Sequence, residues 1–373
     1  MVKSTRPPAN GFVRAMRLVY NPLGFGKGYN FVLFFLSMGY LFGFTLARLQ
    51  YLNFNGIFCR PGGGAVGAAP GECYYWLQDP FKIGMKLHLY CILPVAFLVV
   101  FQFVPAIRHK VILFHRLNGY VIVILTLISN AGTIIIARHA FGGDFSTQVW
   151  TGTMVILTTV GFIMAWVNIK LLQIDQHRAW MMRVWAWVKH SHFSWRQLYF
   201  TDTLKLATIV TIRIIMIISA QIISAAGNWY TTRLCAQIVT GLGPADTLGY
   251  YPGCATYFDG TQPDKRVIVN ADFASEDSIA LSASLAIPFG TAGWLALILH
   301  TIAIELYLRL TPVESDRLRR VSYERQLERG FKRPGYSGLV AERFGDAAPY
   351  VYAIPVKEEQ EYPHVDEESG PRK

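Results

Sequence analysis

The 373-residue chain is 52% hydrophobic and only 16% charged, with a mean hydropathy of +0.30, whereas a soluble globular chain carries about a quarter charged residues. Water-soluble classes are therefore disfavoured. The formal charge of +11 and a pI near 9.4 would suit a nucleic-acid binder, but no zinc-finger, recognition-helix or RNA-stacking motif accompanies it, and the charges prove to be arranged by membrane side.

In chain order, residues 1–30 form a basic segment without the short apolar core and small-residue cleavage site of a removable signal peptide. Apolar runs long enough for about 30 Å of hydrocarbon then follow at approximately Phe31 to Leu49, Leu87 to Ile107, Leu117 to Ala137, Val149 to Ile169, Leu206 to Ala226 and Pro288 to Leu308. The first reads as a retained signal anchor. Barrel strands would be about half as long and alternate in polarity, so the expected fold is an all-α polytopic helix bundle over residues 31–309. His177 to Phe200 is Trp-rich but carries Arg183, Lys189 and Arg196, which predicts an interfacial amphipathic segment; a seventh span is the alternative. Residues 310–373 form a tail with a basic, helix-compatible start and an acidic, proline-punctuated end, Val356 to Lys373, expected to be disordered.

Six crossings put both termini on one side. About 26 of the 35 Lys and Arg lie there and about 7 opposite, so the positive-inside rule predicts cytoplasmic termini and lumenal loops at about 50–86 and 227–287. Cys59 and Cys73 fall in the first of these loops and Cys235 and Cys254 in the second. Cysteines so placed read as structural disulfides of a secretory-pathway membrane such as the endoplasmic reticulum, with three pairings open. Neither loop has C-x-x-C spacing, and no metal site is expected.

Polar groups within or beside the spans are the functional candidates, because burying them in hydrocarbon is costly. Arg213 lies seven residues into the fifth run and Glu305 three residues before the end of the sixth; their depths, about 10 and 5 Å at the helical rise, predict an Arg213–Glu305 ion pair. His300 is deeper in the same run. His115 with Asn118, one turn apart, and Asp175 with His177 cluster at the expected cytoplasmic face. His88 and His139 lie at the other.

The run from Lys86 to Arg183, with K-L-H-L at Lys86 to Leu89, F-H-R-L-N-G-Y at Phe114 to Tyr120 and D-Q-H-R-A-W-M-M-R at Asp175 to Arg183, resembles a family of multi-spanning membrane proteins of unknown function. Within that group it most resembles the fungal integral-membrane terpene cyclases of the ascofuranone and macrophorin type. The resemblance implies acid-initiated cyclisation of a hydrophobic prenylated substrate, beginning at a terminal epoxide or alkene, in the bilayer and beside other pathway enzymes. Such chemistry needs a carboxylic acid of raised pKa, exclusion of water and aromatic faces for a carbocation. Asp175 and Glu305 are the candidate acids, with His115, His177 and Arg213 to orient or reprotonate them and no cofactor required. Pairing with arginine would disfavour Glu305, since a guanidinium lowers a carboxyl pKa.

Two other classes compete. Bis-histidine ligation of a b-type haem would draw on His88 with His139 and His115 with His177. A transporter or scaffold would show broken helices, hinted at only by Pro94 and the Gly290 to Gly293 region.

Overall fold

The computed structural model describes residues 7–8, 10–26, 28–60, 67–188 and 208–352. A surface helix α1 (Gly11–Tyr20) begins where the Asn10 side chain accepts from the Val13 N–H and precedes the long apolar α2 (Gly28–Arg48). After a single π-helical turn, Phe54–Phe58, come the short α3 (Cys73–Trp76), α4 (Phe81–Gln102), α5 (Pro105–Lys110), α6 (Ile112–Ile136), α7 (Phe145–Lys170) and α8 (Ile174–Val188). The second half holds α9 (Thr208–Ala226), a hairpin strand β1 (Tyr230–Leu234), α10 (Cys235–Leu242), α11 (Pro244–Tyr250), α12 (Ala255–Phe258) and the partner strand β2 (Arg266–Asn270). The chain closes with α13 (Ser278–Ala286), α14 (Phe289–Leu310), α15 (Pro312–Glu328) and α16 (Ala341–Phe344).

Among the described residues, five helical stretches are long and apolar enough to cross a bilayer: Asn30–Leu52, Phe81–Gln102, Ile112–Ile136, Phe145–Lys170 and Ser278–Leu310. The remaining expected span corresponds to α9, whose described apolar part, Thr211–Ala226, is shorter. The protein is an all-α polytopic bundle. Its side chains are arranged as lipid demands: Ile124, Ile163 and Trp166 face outward, while Thr126, Ser129, Thr158 and Asn168 are buried between helices. Hydrophobicity cannot hold helices together in a solvent as apolar as they are, so close backbone approach and interhelical hydrogen bonds do so. A Cβ on Gly132 of α6 would lie 2.6 Å from the Gly84 carbonyl of α4, and one on Gly161 of α7 would collide with Val184 of α8. Asn130 donates to Thr158 at 3.0 Å between α6 and α7.

The bundle has two dissimilar ends. One carries both disulfides, Cys59–Cys73 and Cys235–Cys254, each closing its own loop; this decides among the three pairings open from sequence. The stretch 227–277 is a folded cap, with β1 and β2 paired antiparallel, Tyr230 opposite Asn270. Asp277 caps α13 by accepting from the Ile279 N–H, and it also accepts from the Tyr251 hydroxyl, which ties the cap to the bundle.

At the other end the described part of the tail is packed on the bundle. Gln326 of α15 donates to the Leu171 carbonyl and to Gln173, each at 2.9 Å, and Ser322 accepts from the Ile174 N–H. Leu339 donates its N–H to Asn168 at 2.8 Å. The expectation of disorder at Val356 to Lys373 concerns positions outside the described residues, as does the Lys189 to Phe200 part of the Trp-rich segment; the rest of that segment is α8, packed on α7.

Candidate active site

Two of the expected site residues belong to the tail end and are held in structural networks. Asp175 opens α8 and is 9% exposed. Its oxygens accept from Gln173 at 2.9 Å, Gln176 at 3.0 Å and Ser322 at 3.5 Å. These donors satisfy the buried carboxyl oxygens, and through Ser322 the group anchors α15 to α8.

Glu305 is not paired with Arg213. Its carboxylate takes a bidentate grip from Arg183 of α8, at 2.5 and 3.1 Å. The register of α9 on α14 explains the correction. His300 of α14 meets Thr211 of α9 at 3.0 Å. From that contact Glu305 lies five residues toward the tail end and Arg213 two toward the disulfide end, a separation of about 10 Å along the bundle. The Arg213 guanidinium lies 4.9 Å from the centre of the Phe141 ring, with Glu72, Arg48 and Tyr51 in its electrostatic surroundings.

The histidines are mostly interhelical ties. His88 Nδ1 meets the Ser129 and Thr133 hydroxyls of α6 at 3.0 and 2.8 Å. Gly132 abuts Gly84 in the same stretch, whereas His139 packs on Phe81, seven residues or about 10 Å before His88 along α4, so the two do not form a facing pair. His177 Nδ1 reaches the Ala165 carbonyl at 2.9 Å, and Asn118 donates to the Leu98 carbonyl at 3.1 Å. His115 lies within electrostatic range of His177, and its Nδ1 is enclosed without a hydrogen-bond partner among the described residues. His139 stands apart from the helix contacts. It stacks on Tyr75 at 4.0 Å and meets the edge of Phe81 at 4.3 Å, at the mouth of the disulfide end.

That end holds a carboxylic acid that sequence reasoning passed over. Glu72 sits between Gly71 and the half-cystine Cys73, next to Trp76, which is wholly buried. Gly71 has φ of +81°, and a Cβ there would lie 3.0 Å from the Gln237 carbonyl of α10. The disulfide and this contact press Glu72 inward to 6% exposure. Its Oε1 accepts from the Phe141 N–H at 2.6 Å. The donor is aimed by a left-handed turn, Phe141 at φ 46° and Gly142 at φ 81°. Burial pushes the Glu72 carboxyl up from 4.5 to about 7, against the lowering effects of the Phe141 N–H and of the Arg233 charge. Loss of hydration outweighs both, as expected for a carboxylate in an apolar setting.

The residue that supplies this N–H also belongs to an aromatic cluster. Phe141 stacks on Phe289 at 3.9 Å, and Trp150 meets Phe289 edge-on at 5.6 Å. The only sequence signal for this site was the G-E-C-Y-Y-W run, Gly71 to Trp76: one carboxylate between a glycine, a cysteine and three aromatics.

Residues 85–234 match the model of a family described as a predicted membrane protein (DUF2306). The matched stretch runs from α4 to β1 and so contains His88, His139, Phe141, Asp175, Arg213 and Arg233, while Glu72 and Glu305 lie outside it. The chain is also similar to the "Ava biosynthesis cluster protein G" of Aspergillus versicolor, 26% identical over 330 residues that cover 77% of this chain and 90% of the relative. No solved structure matches. Together with its apolar helices, the family match makes this a multi-pass membrane protein.

Proposed function

We propose that the chain is an integral-membrane terpene cyclase that starts cyclisation of a prenyl chain by protonation, with Glu72 as the proton donor. The observation that carries this reading is a buried carboxyl, its pKa pushed up to about 7, that accepts from the backbone N–H of Phe141, a residue whose ring belongs to a cluster with Phe289 and Trp150. A general acid works best with its pKa near the operating pH, and ring faces stabilise the cation that follows. Asp175 and Glu305 fit the role less well, being held by hydrogen-bond donors and by Arg183 respectively.

In this reaction the Glu72 O–H bond breaks and its proton passes to the oxygen of a terminal epoxide. The C–O bond opens at the more substituted carbon, and an internal double bond attacks that carbon to close the ring. This leaves the positive charge on the far carbon of that double bond, and loss of a proton from the carbon next to it to the Glu72 carboxylate forms a new double bond and regenerates the acid. The product is an isomer of the substrate, so no oxidant or cofactor is consumed. The relative's name places that protein in a fungal biosynthesis cluster, which supports a role for this chain in secondary metabolism, and the two disulfides support placing their end in the lumen of the endoplasmic reticulum.

The test is to incubate microsomes containing this protein with a farnesylated aromatic bearing a terminal epoxide and to seek an isobaric product of shifted retention. Glu72→Gln should lower turnover about 10²- to 10⁴-fold, the usual contribution of a general acid, while Glu305→Gln keeps it within a few-fold. Absence of any isobaric product, or undiminished turnover in Glu72→Gln, would overturn the assignment.

A further inference from the structure

A cleft opens at the disulfide end, lined by Tyr75, Arg138, His139, Arg233, Gln237 and Arg266 together with Gly142 and Thr232. It contains three guanidinium groups and no carboxylate. Arg233 lies at its floor, only 7% exposed, and among the described residues none forms a hydrogen bond or ion pair with its guanidinium. Removing a charge from water is costly and an arginine cannot escape by losing its proton; the Arg233 nitrogens are not among the fully enclosed polar atoms, so they meet solvent through the cleft. Glu72 is the nearest acid to influence it, but that carboxyl is engaged by the Phe141 N–H and holds its own proton up to about pH 7.

The surroundings are shaped for the guanidinium to reach a guest. Gly142 has φ of +81°, a conformation that favours glycine, and a Cβ there would sit 3.0 and 3.1 Å from Arg233 Nη1 and Nη2. The side-chain amide of Gln237, 5% exposed, also makes no hydrogen bond among the described residues. Arg138 uses Nη1 on the Gly143 carbonyl at 3.0 Å. Arg266 is exposed at the rim. Burial raises the pKa of the Tyr75 hydroxyl and, with the Arg138 and Arg266 charges, lowers that of His139; each group carries a hydrogen-bond donor.

We propose that this cleft binds a single oxyanion, a carboxylate or phosphate carried by a small soluble molecule, with Arg233 and Gln237 gripping it from below and Arg266 closing over it. Planar guanidinium forks match the geometry of both groups. The cleft adjoins Glu72 through the Arg233 charge, but its ligand takes no part in the cyclisation and its test needs no turnover.

The full chain, purified in uncharged detergent with its disulfides intact, would be melted in rising sodium phosphate, sodium benzoate or, at matched ionic strength, sodium chloride. A saturable rise in melting temperature with phosphate or benzoate, absent with chloride, is expected, and the tighter of the two identifies the oxyanion. Arg266→Gln should weaken the half-saturating concentration about tenfold, the worth of one charge-assisted contact, and Arg233→Gln should abolish the response. Arg309→Gln, at the opposite end, should respond as wild type. If Arg233→Gln does not fold, Arg266→Gln decides. No saturable response to either anion in the wild-type protein, or an unchanged half-saturating concentration in Arg266→Gln, would overturn the proposal.

Discussion

Glu72→Gln also has a consequence for stability whose sign and size follow from the structure. The folded chain holds the Glu72 proton up to about pH 7, whereas a carboxyl of ordinary value releases it near 4.5. Below 4.5 both states carry the proton. Between 4.5 and 7 only the folded state does, so unfolding releases a proton and the unfolding free energy falls as pH rises. Above 7 the penalty is complete and the dependence flattens. At about 1.4 kcal/mol per pH unit the full effect is about 3 kcal/mol. The side-chain amide of the substituted glutamine still accepts from the Phe141 N–H but has nothing to ionise. The variant should therefore melt close to wild type at pH 4.5 and several degrees higher at pH 8, taking about 2 °C per kcal/mol for a large domain. Melting both proteins from pH 4.5 to 8 in one detergent checks this, and parallel profiles would refute the placement of a buried, protonated carboxyl at Glu72.

Further outcomes concern the two ends of the bundle. Non-reducing peptide mapping should recover Cys59 joined to Cys73 and Cys235 to Cys254, with Cys91 alkylated only after denaturation because it is buried. Replacing Cys235 and Cys254 together by Ser should lower stability by about 3 kcal/mol, the loop-closure value for a separation of 19 residues, and should perturb the cleft whose Arg233 and Gln237 flank Cys235. At the tail end, Asp175→Asn should cost about 1 to 2 kcal/mol in lost acceptor bonds; faster limited proteolysis around α15 with retained turnover would be the observed pattern.

The spans were legible in the sequence because a bilayer imposes a length and a polarity that one chain must satisfy locally, with every backbone group bonded within its own helix. Lys and Arg asymmetry and cysteine placement likewise needed no partner to be read. The candidate site was not legible in this way. Depth counted along one helix cannot give the register between two, so Arg213 was expected to meet Glu305, whereas the His300–Thr211 contact sets the two about 10 Å apart. Asp175 and His177 stood out as polar groups at a span end, and the structure shows them serving helix packing through Ser322 and Ala165.

Glu72 carried no such flag, since a carboxylate in an extramembrane loop is ordinarily solvated. Only the fold removes its water. The Cys59–Cys73 bridge, the approach of Gly71 to α10 and the left-handed turn at Phe141 come from segments far apart in the chain, and a pKa responds to the environment they jointly create. The sequence determined that this chain is a bundle of membrane-crossing helices; the tertiary structure decided which of its acids keeps a proton, because burial and charge are properties of neighbours that the chain order does not contain.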